Sequence, residues 1–280
     1  MKKILFYTLS ALFFSTSLVS CGGGDDDTTG GSANNSTGIH NGHQWIDLGL
    51  GVKWATYNVG ASQPWEFGNY FSLGETTGYD EGKRNFATST YKWYEEGVGY
   101  TKYCCNSSYG IVDNKYVVDK EDDAASANWG GNWRLPHPSE VAELMNNCYW
   151  EWTNSYNNSG IKGVIVYKAK TTTDMGIYCN ESKTVMPSAK YTLSDTHIFL
   201  PAAGAYKYER YYIEESGEGS PIGMYLTSSF GRDKHSISQT SYYFEDYTGE
   251  ALECFLGPIN RCIGDWGASR GYCVRAVCPK

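Results

Sequence analysis

The strongest constraint on the fold of this chain lies in its middle, in residues 132–148. Pro136 biases the residue before it toward an extended backbone. Pro138 suits the first turn of a helix, where its missing N–H costs no hydrogen bond. His137 is then the N-cap residue, and Glu140 lies near the positive end of the helix dipole, which an acid stabilises. The segment therefore predicts a strand end followed by a helix that begins at Pro138.

Apolar side chains in this segment recur with the period of an amphipathic helix. They stand at i, i+3, i+4 and i+7, at Val141, Leu144, Met145 and Cys148. Such a spacing places all four on one face, with polar residues on the other. The helix, residues 138–147, has the clearest helical pattern in the chain, and we expect its apolar face to be buried.

The first 20 residues have the pattern of an export signal. Lys2 and Lys3 precede an apolar run, residues 4–19, that is too short and too rich in Ser and Thr to span a bilayer stably. The run ends in Leu-Val-Ser-Cys, residues 18–21, which resembles the lipobox of bacterial lipoproteins. The resemblance implies that Cys21 carries fatty acids such as palmitate and anchors the mature chain in the outer membrane. A signal peptide without lipidation is the alternative.

Residues 21–40 have the composition of a flexible tether. They are rich in Gly, Ser, Thr, Asn and Asp and carry almost no apolar side chain to bury. Three glycines and Asp25–Asp27 resemble the acidic export signal of surface lipoproteins in Bacteroidota, although a solvated linker explains the same residues. We expect one domain over residues 41–280, because no second linker interrupts them.

Charge and aromatic content narrow the fold and the partners. Without the leader, 21 of the 23 Lys and Arg remain against 31 Asp and Glu, a net charge of about −10, which argues against nucleic acid as a partner. The chain has 24 Tyr and 9 Trp but few helical patterns. This balance predicts a loop-rich α+β or mostly β fold with an interior filled by rings. With one main helix at residues 138–147, we expect the α+β class, with short strands and long loops.

The predicted strands concentrate in the second half of the domain. They are residues 44–50, 53–59, 163–167, 197–204, 223–229, 241–244 and 271–277. Residues 64–82 are turn-rich and aromatic, which predicts an ordered loop with its rings packed on the core. Residues 91–127 and 168–194 show no clear period, and we interpret them as two long insertions.

Eight cysteines remain after Cys21: Cys104, Cys105, Cys148, Cys179, Cys254, Cys262, Cys273 and Cys278. An even number in an oxidising compartment predicts disulfides, but the sequence cannot choose among on the order of a hundred pairings. Cys148, on the apolar helix face, equally fits a buried thiol.

Seven sequence blocks in a fixed order resemble the Fibrobacter succinogenes major paralogous domain. They are residues 45–50, 52–60, 132–136 (Asn-Trp-Arg-Leu-Pro), 146–153, 198–204, 225–229 and 271–277 (Gly-Tyr-Cys-Val-Arg-Ala-Val). The resemblance implies a C-type-lectin-like fold, shared with formylglycine-generating enzymes, in which the opening and closing strands pair and long loops project on one side. It implies no particular activity.

The first hypothesis for function is a surface-anchored module that binds a glycan or a protein through aromatic loops. Rings offer large rigid contact areas and stack on sugars. The candidate rings between residues 205 and 270 are Tyr206, Tyr208, Tyr211, Tyr212, Tyr243, Tyr247, Phe255 and Trp266. The alternative for each ring is a place in the interior.

Two other hypotheses remain open. The second hypothesis is an enzyme, a copper oxidase of the formylglycine-generating type. Cys273 and Cys278 are similar to the paired cysteines that hold copper in those enzymes, although either could form a disulfide. The histidines are dispersed and lectin-type calcium triplets are absent, so we predict no catalytic residue, no cofactor and no metal site.

The third hypothesis is a structural or adhesive subunit of a surface assembly. A free strand edge or apolar patch would favour that role, whereas a cleft walled by rings favours glycan binding.

Overall fold

The computed structural model describes residues 36–180, 186–207, 210–212, 222–230, 239–247, 251–258 and 268–280. For 207, 210–212, 239–243, 245–247 and 251–258 it describes the backbone alone. The described residues belong to one compact unit of mixed α and β structure, in which strands predominate. The predicted α+β class is therefore confirmed.

The strands are short in the first half of the chain and longer in the second. They are β1 (Thr37–His40), β2 (His43–Ile46), β3 (Val52–Ala55), β4 (Tyr94–Glu95), β5 (Gly99–Tyr100), β6 (Cys148–Thr153), β7 (Gly163–Lys168), β8 (Ile177–Cys179), β9 (His197–Pro201), β10 (Ala205–Lys207), β11 (Arg210–Tyr212), β12 (Ile222–Phe230), β13 (Gln239–Tyr247), β14 (Ala251–Pro258) and β15 (Val277–Pro279). The helices are α1 (Ala124–Trp129) and α2 (Pro138–Asn147), with 3₁₀ turns at Thr88–Thr90, Lys120–Asp122, Tyr156–Asn158 and Thr172–Asp174.

The first sheet joins the two ends of the described chain. Its strand order is β1-β2-β3-β15, and β15 runs antiparallel to β3 with Val277 opposite Trp54. The predicted pairing of the opening and closing strands is confirmed. The predicted continuous strand over residues 271–277 is not formed: Gly271, Tyr272 and Cys273 make isolated β-bridges, and β15 begins only at Val277.

The second sheet has both faces buried. Its order is β8-β6-β7-β9, and β6 pairs with β7 antiparallel and with β8 in parallel. Because side chains alternate along a strand, Trp150 and Val164 face the cluster that contains Leu144, whereas Tyr149 and Ile165 face a tyrosine-rich cluster. Burial on both faces explains why residues 163–167 read as a continuous apolar run.

The third sheet and two hairpins complete the strand set. β12, β13 and β14 form an antiparallel meander, which confirms strands at residues 223–229 and 241–244 and extends both. β10 pairs with β11, and β4 pairs with β5.

Helix α2 confirms the prediction for residues 138–147. His137 is the N-cap, with its ring accepting a hydrogen bond from the Ser139 N–H, and Glu140 closes a capping box by accepting from the His137 N–H at 2.7 Å. Val141 and Leu144 are fully buried, and Cys148 follows them into the core as β6 begins. Local capping and tertiary packing thus both favour a helix at residues 138–147.

The Asn-Trp-Arg-Leu-Pro block before α2 connects several elements. Trp133 Nε1 donates to the His40 carbonyl at 2.8 Å, so the block holds the end of β1. Arg134 exchanges two backbone hydrogen bonds of 3.0 Å with Val277, and its guanidinium pairs with Glu140 at 2.5 Å. The Leu135 N–H donates to Asp123, the N-cap residue of α1. The segment therefore connects the two edge strands of the first sheet, β1 and β15, to helices α1 and α2.

The predicted strands 44–50, 53–59 and 197–204 are shorter in the structure, as β2, β3 and β9. Three other segments also differ from the sequence predictions. The predicted tether reaches residue 40, but Thr37–His40 is β1, held by β2 through its backbone rather than by apolar side chains. The predicted insertion 91–127 contains β4, β5 and the start of α1, and it contributes Tyr103 and Cys104 to the core. The predicted excursion 168–194 contains β8. Short elements of this kind carry too few residues for a period to be recognised.

The longest helix in the described part of the chain has ten residues. None of the described helices is long and apolar enough to cross a membrane.

The buried face of α2 gives a direct test of the fold. Leu144 is 0% exposed, so Leu144→Ala should lower the free energy of unfolding by about 2–5 kcal/mol through lost burial and an added cavity. Urea unfolding measures the change. Asn146→Ala, on the exposed face of the same helix, should stay within about 0.5 kcal/mol of the parent. Equal effects of the two substitutions would contradict the packing described here.

Candidate functional site

Among the predicted ligand-binding rings, Tyr206 is the one whose side chain the structure describes. Tyr206 is 5% exposed, with its ring against Tyr70 at a centroid distance of 4.6 Å and near Phe86, so its predicted display to a ligand is wrong. The ring fills the core because strand β10 turns it inward. Tyr208 and Trp266 lie outside the described residues.

The remaining predicted rings are placed by backbone register alone. Tyr243 stands opposite Phe255 on β13 and β14, and Tyr247 stands opposite Ala251 at the end of the same ladder. Tyr211 and Tyr212 lie on β11 opposite β10. The register thus brings Tyr243 and Phe255 together, and their role in binding stays a prediction.

A cleft of about 410 Å³ provides a described candidate site. It is lined by Trp65, Glu66, Phe67, Gly68, Asp80, Glu81 and Ile161, and we call it the Trp65 cleft. The two aromatic rings are half-buried, and the three acids are exposed. Its size falls in the range of small-ligand sites, roughly 300–1,000 Å³. The sequence predicted an ordered ring-packing loop here, but not a cleft between its two ends.

The first wall of the Trp65 cleft is fixed by a carboxylate-capped turn. Glu66 Oε2 accepts hydrogen bonds from the Ser62 N–H at 2.7 Å, the Ser62 hydroxyl at 3.0 Å and the Gln63 N–H at 3.2 Å. The bond from the Ser62 N–H contributes most to lowering the pKa of Glu66. At Gly68, φ is +73°, and an added Cβ would lie 2.5 Å from the Val59 carbonyl oxygen. This wall therefore needs glycine at position 68.

The second wall is joined to the first by a short ladder. Tyr70 and Tyr79 exchange backbone hydrogen bonds of 2.8 and 3.1 Å, and Asn69 Nδ2 donates to Asp80 Oδ1 at 2.8 Å. Asp80 is thereby oriented beside the Trp65 loop. The two walls are held at a fixed separation before any ligand binds, which reduces the entropy that binding must overcome.

Buried groups from the end of the chain support the floor of the cleft. The Phe67 carbonyl accepts from Asn58 Nδ2 at 2.8 Å and from the Cys273 thiol at 3.3 Å. Asn58 in turn accepts from Arg275 Nε at 2.9 Å. The Trp65 cleft is therefore attached to the core by side chains of the Gly-Tyr-Cys-Val-Arg-Ala-Val block.

The chemistry of the Trp65 cleft is that of recognition. Its walls offer ring faces for apolar or sugar C–H surfaces and carboxylates that accept hydrogen bonds. Its lining includes neither a basic side chain nor a Ser, Cys or His nucleophile with a neighbouring base. These groups can hold a ligand in place.

Two other cavities have less suitable walls. One of about 490 Å³ is lined by Tyr149, Tyr191 and neighbouring residues, and both tyrosines are nearly fully buried. The other, of about 240 Å³, contains His197, whose ring contacts Tyr156 Oη at 2.9 Å and the Asp195 carbonyl at 2.7 Å. Burial lowers the pKa of His197, so its neutral form bridges two loops.

The cysteines predicted as a copper pair are separated and buried. Cys273 belongs to the core cluster around Trp54, whereas Cys278 belongs to the cluster around Trp133. Burial raises the pKa of both thiols, which disfavours the thiolates that copper requires. Among the described residues, no three His, Cys, Asp or Glu side chains lie together in a metal-ligating arrangement.

The predicted disulfides are not formed by the described thiols Cys104, Cys148, Cys179, Cys273 and Cys278. Each of these lies in the core, where it packs as a small apolar group. The prediction is wrong for these five, and the thiols of Cys104 and Cys179 instead donate to the carbonyls of Asn106 and Asn180. Cys262 lies outside the described residues, and Cys254 is described by its backbone alone.

Comparison with known proteins identifies no relative: no family model, no curated protein and no solved structure matches the chain. The resemblance to the Fibrobacter succinogenes major paralogous domain therefore stays a prediction that rests on the seven sequence blocks.

The buried thiols should be unreactive in the folded protein. Iodoacetamide should leave Cys148, Cys273 and Cys278 unmodified until urea exposes them, because burial raises each pKa, that of Cys148 to about 12, and blocks access. Peptide mass spectrometry before and after denaturation measures this. Ser89→Cys, at an exposed position, is the positive control. Two results would contradict the prediction of buried free thiols. The first is rapid labelling of Cys273 in the folded protein, and the second is a cysteine that stays unlabelled in urea until a reductant is added.

Proposed function

We propose that this chain is a lipid-anchored protein of the outer membrane that binds an extracellular glycan, without catalysing a reaction. Its domain belongs by this proposal to the Fibrobacter succinogenes major paralogous family, with a C-type-lectin-like fold. The Trp65 cleft is the binding site, and the rings predicted between residues 205 and 270 extend the binding surface where they are exposed.

The observation that supports the proposal most directly is the composition of the Trp65 cleft. It combines the half-buried rings of Trp65 and Phe67 with the carboxylates of Asp80 and Glu81 on a fixed framework. Sugars present apolar C–H faces that stack on rings and hydroxyl groups that donate to carboxylates. A site with these two features, open to solvent, fits a glycan better than a wholly apolar ligand.

The N-terminal residues support the location. The apolar run that ends at Cys21 and the polar stretch after it have the order of leader, lipidation site and tether. A tether of Gly, Ser and Asp residues lets an anchored domain sample the space above a membrane.

A structural role in a surface assembly is the second candidate, because one segment exposes several apolar side chains. Val98, Tyr109, Ile111, Val112 and Val117 are 38–55% exposed and lie within 20 residues of one another in the chain. Exposed apolar groups on one segment are typical of surfaces that contact another protein.

The glycan proposal is tested with the full chain in a polyoxyethylene detergent, which carries no sugar, on an array of neutral, amino and acidic glycans. Trp65→Leu removes the ring face but keeps an apolar side chain against the core. We expect it to weaken glycan binding about tenfold, the loss of one ring stack. Tyr109→Leu, on the exposed segment, is the matched control and should bind like the parent.

Thermal melting of each variant separates binding from folding. The proposal is overturned if no glycan binds, or if Trp65→Leu melts normally and binds every glycan as the parent does. Self-association or capture of a surface protein through the 98–117 segment, lost in a variant with Ile111→Ser and Val112→Ser, would instead favour the structural role.

The anchor is tested separately at Cys21. Cys21→Ser should abolish incorporation of labelled palmitate, because it removes the thiol to be acylated. Chains from which the leader has been cleaved should also leave the membrane fraction, because the tether alone has no apolar surface to insert. Cys105→Ser, which leaves the leader unchanged, should still be labelled. Palmitate labelling that persists in Cys21→Ser would show that acylation occurs elsewhere.

A further inference from the structure

We infer that the Trp65 cleft selects glycans that carry free amino groups over neutral and acidic glycans. This inference rests on the proposed function and specifies its ligand class. It is carried by charge complementarity, since three carboxylates and two rings line one cleft and its lining contains no basic side chain.

The carboxylates are available to a ligand to different degrees. Glu66 uses Oε2 for its turn, which leaves Oε1 without a hydrogen bond to the described residues. Asp80 Oδ1 accepts from Asn69, and Oδ2 accepts none from the described chain. Glu81 is exposed and likewise accepts no hydrogen bond from any described residue. Three carboxylates thus retain oxygen atoms that an ammonium group can reach.

The rings add a second attraction for a cation. An ammonium group near the face of Trp65 or Phe67 interacts with the negative potential of the aromatic ring, and tryptophan is the strongest partner of this kind. A neutral hydroxyl or an N-acetyl group gains stacking at the same place but neither cation–π attraction nor an ion pair. The rings and the acids therefore both favour a sugar with a free ammonium group over the same sugar with a hydroxyl or an N-acetyl group at that position.

The charge of the whole chain acts in the same direction. Its formal net charge is −8, so long-range attraction raises the local concentration of cationic ligands and opposes uronic, sialic or sulfated glycans. This general effect is sensitive to salt, whereas contacts inside the cleft are screened less. Two double variants distinguish the long-range effect from the contacts inside the cleft: one removes charges in the cleft, and the other removes the same number of charges outside it.

The probes are a β-1,4-linked glucosamine tetrasaccharide with free amines and the same tetrasaccharide fully N-acetylated. Calorimetry uses the full chain in polyoxyethylene detergent at about pH 6, below the pKa of an amine and above that of an ordinary carboxyl group. The parent should bind the free-amine form roughly tenfold more tightly, as an exposed ion pair and a cation–π contact together predict.

Asp80→Asn combined with Glu81→Gln removes two charges from the cleft and keeps the side-chain shapes. It should reduce the affinity ratio of the two tetrasaccharides severalfold, because the free-amine form loses its ion pairs, whereas the hydroxyl groups of both forms can still donate to the amide oxygens. Glu95→Gln with Glu96→Gln makes the same change in charge on the exposed β4–β5 hairpin and should keep the parental ratio.

Three results would overturn the inference. These are equal or tighter binding of the acetylated form by the parent, an unchanged ratio in the Asp80→Asn, Glu81→Gln variant, and loss of the ratio in the hairpin control. Competition by tetralysine as strong as that by the amino tetrasaccharide, and dependent on Trp65, would assign the site to a basic peptide instead. If the parent binds neutral glycans as tightly as the amino form, and this binding still depends on Trp65, only the amine selectivity is overturned and the proposed function stands.

Discussion

The rest of the structure depends on one buried guanidinium, that of Arg275. It is 0% exposed and donates to the Ala55, Thr56 and Phe199 carbonyls at 2.8–3.1 Å and to Asn58 Oδ1. A buried cation is costly unless its N–H groups are satisfied, so these acceptors must stand where they are. The carbonyls come from the end of β3 and from β9, and Arg275 therefore fixes the first sheet against the second.

This interaction also explains why the candidate site is rigid. Asn58 accepts from Arg275 with its oxygen and donates to the Phe67 carbonyl with its nitrogen, so one amide connects the buried charge to the cleft wall. The Cys273 thiol donates to the same carbonyl. A loop supported in this way can present Trp65 in one orientation, and a preorganised ring loses less entropy on binding than a mobile one. The closing block of the sequence thus contributes to stability and to recognition together.

The sequence predicted those elements whose signal is local. Helix α2 could be predicted because its capping residues, His137 and Glu140, and its apolar period all lie in the short segment 137–148. α1 was missed because six residues give less than two turns, and its support comes from Asp123 and distant rings. β8 was missed because its three residues are recognisable only beside β6. β1 was assigned to the tether because a strand held through backbone pairing needs no apolar side chain.

The candidate site was harder to predict because the exposure of a ring is set by tertiary packing. Tyr206 and Trp65 both follow a proline closely in the sequence, yet the first is buried against Tyr70 and the second borders a cleft. The difference arises from a contact between segments 69–70 and 79–80, which leaves Asp80 and Glu81 opposite Trp65. In a chain this rich in tyrosine and tryptophan, most rings are needed for the core, so the presence of rings alone carries little information about binding. Carboxylates positioned beside a half-buried ring are the more specific sign, because burying a ring requires no acid next to it.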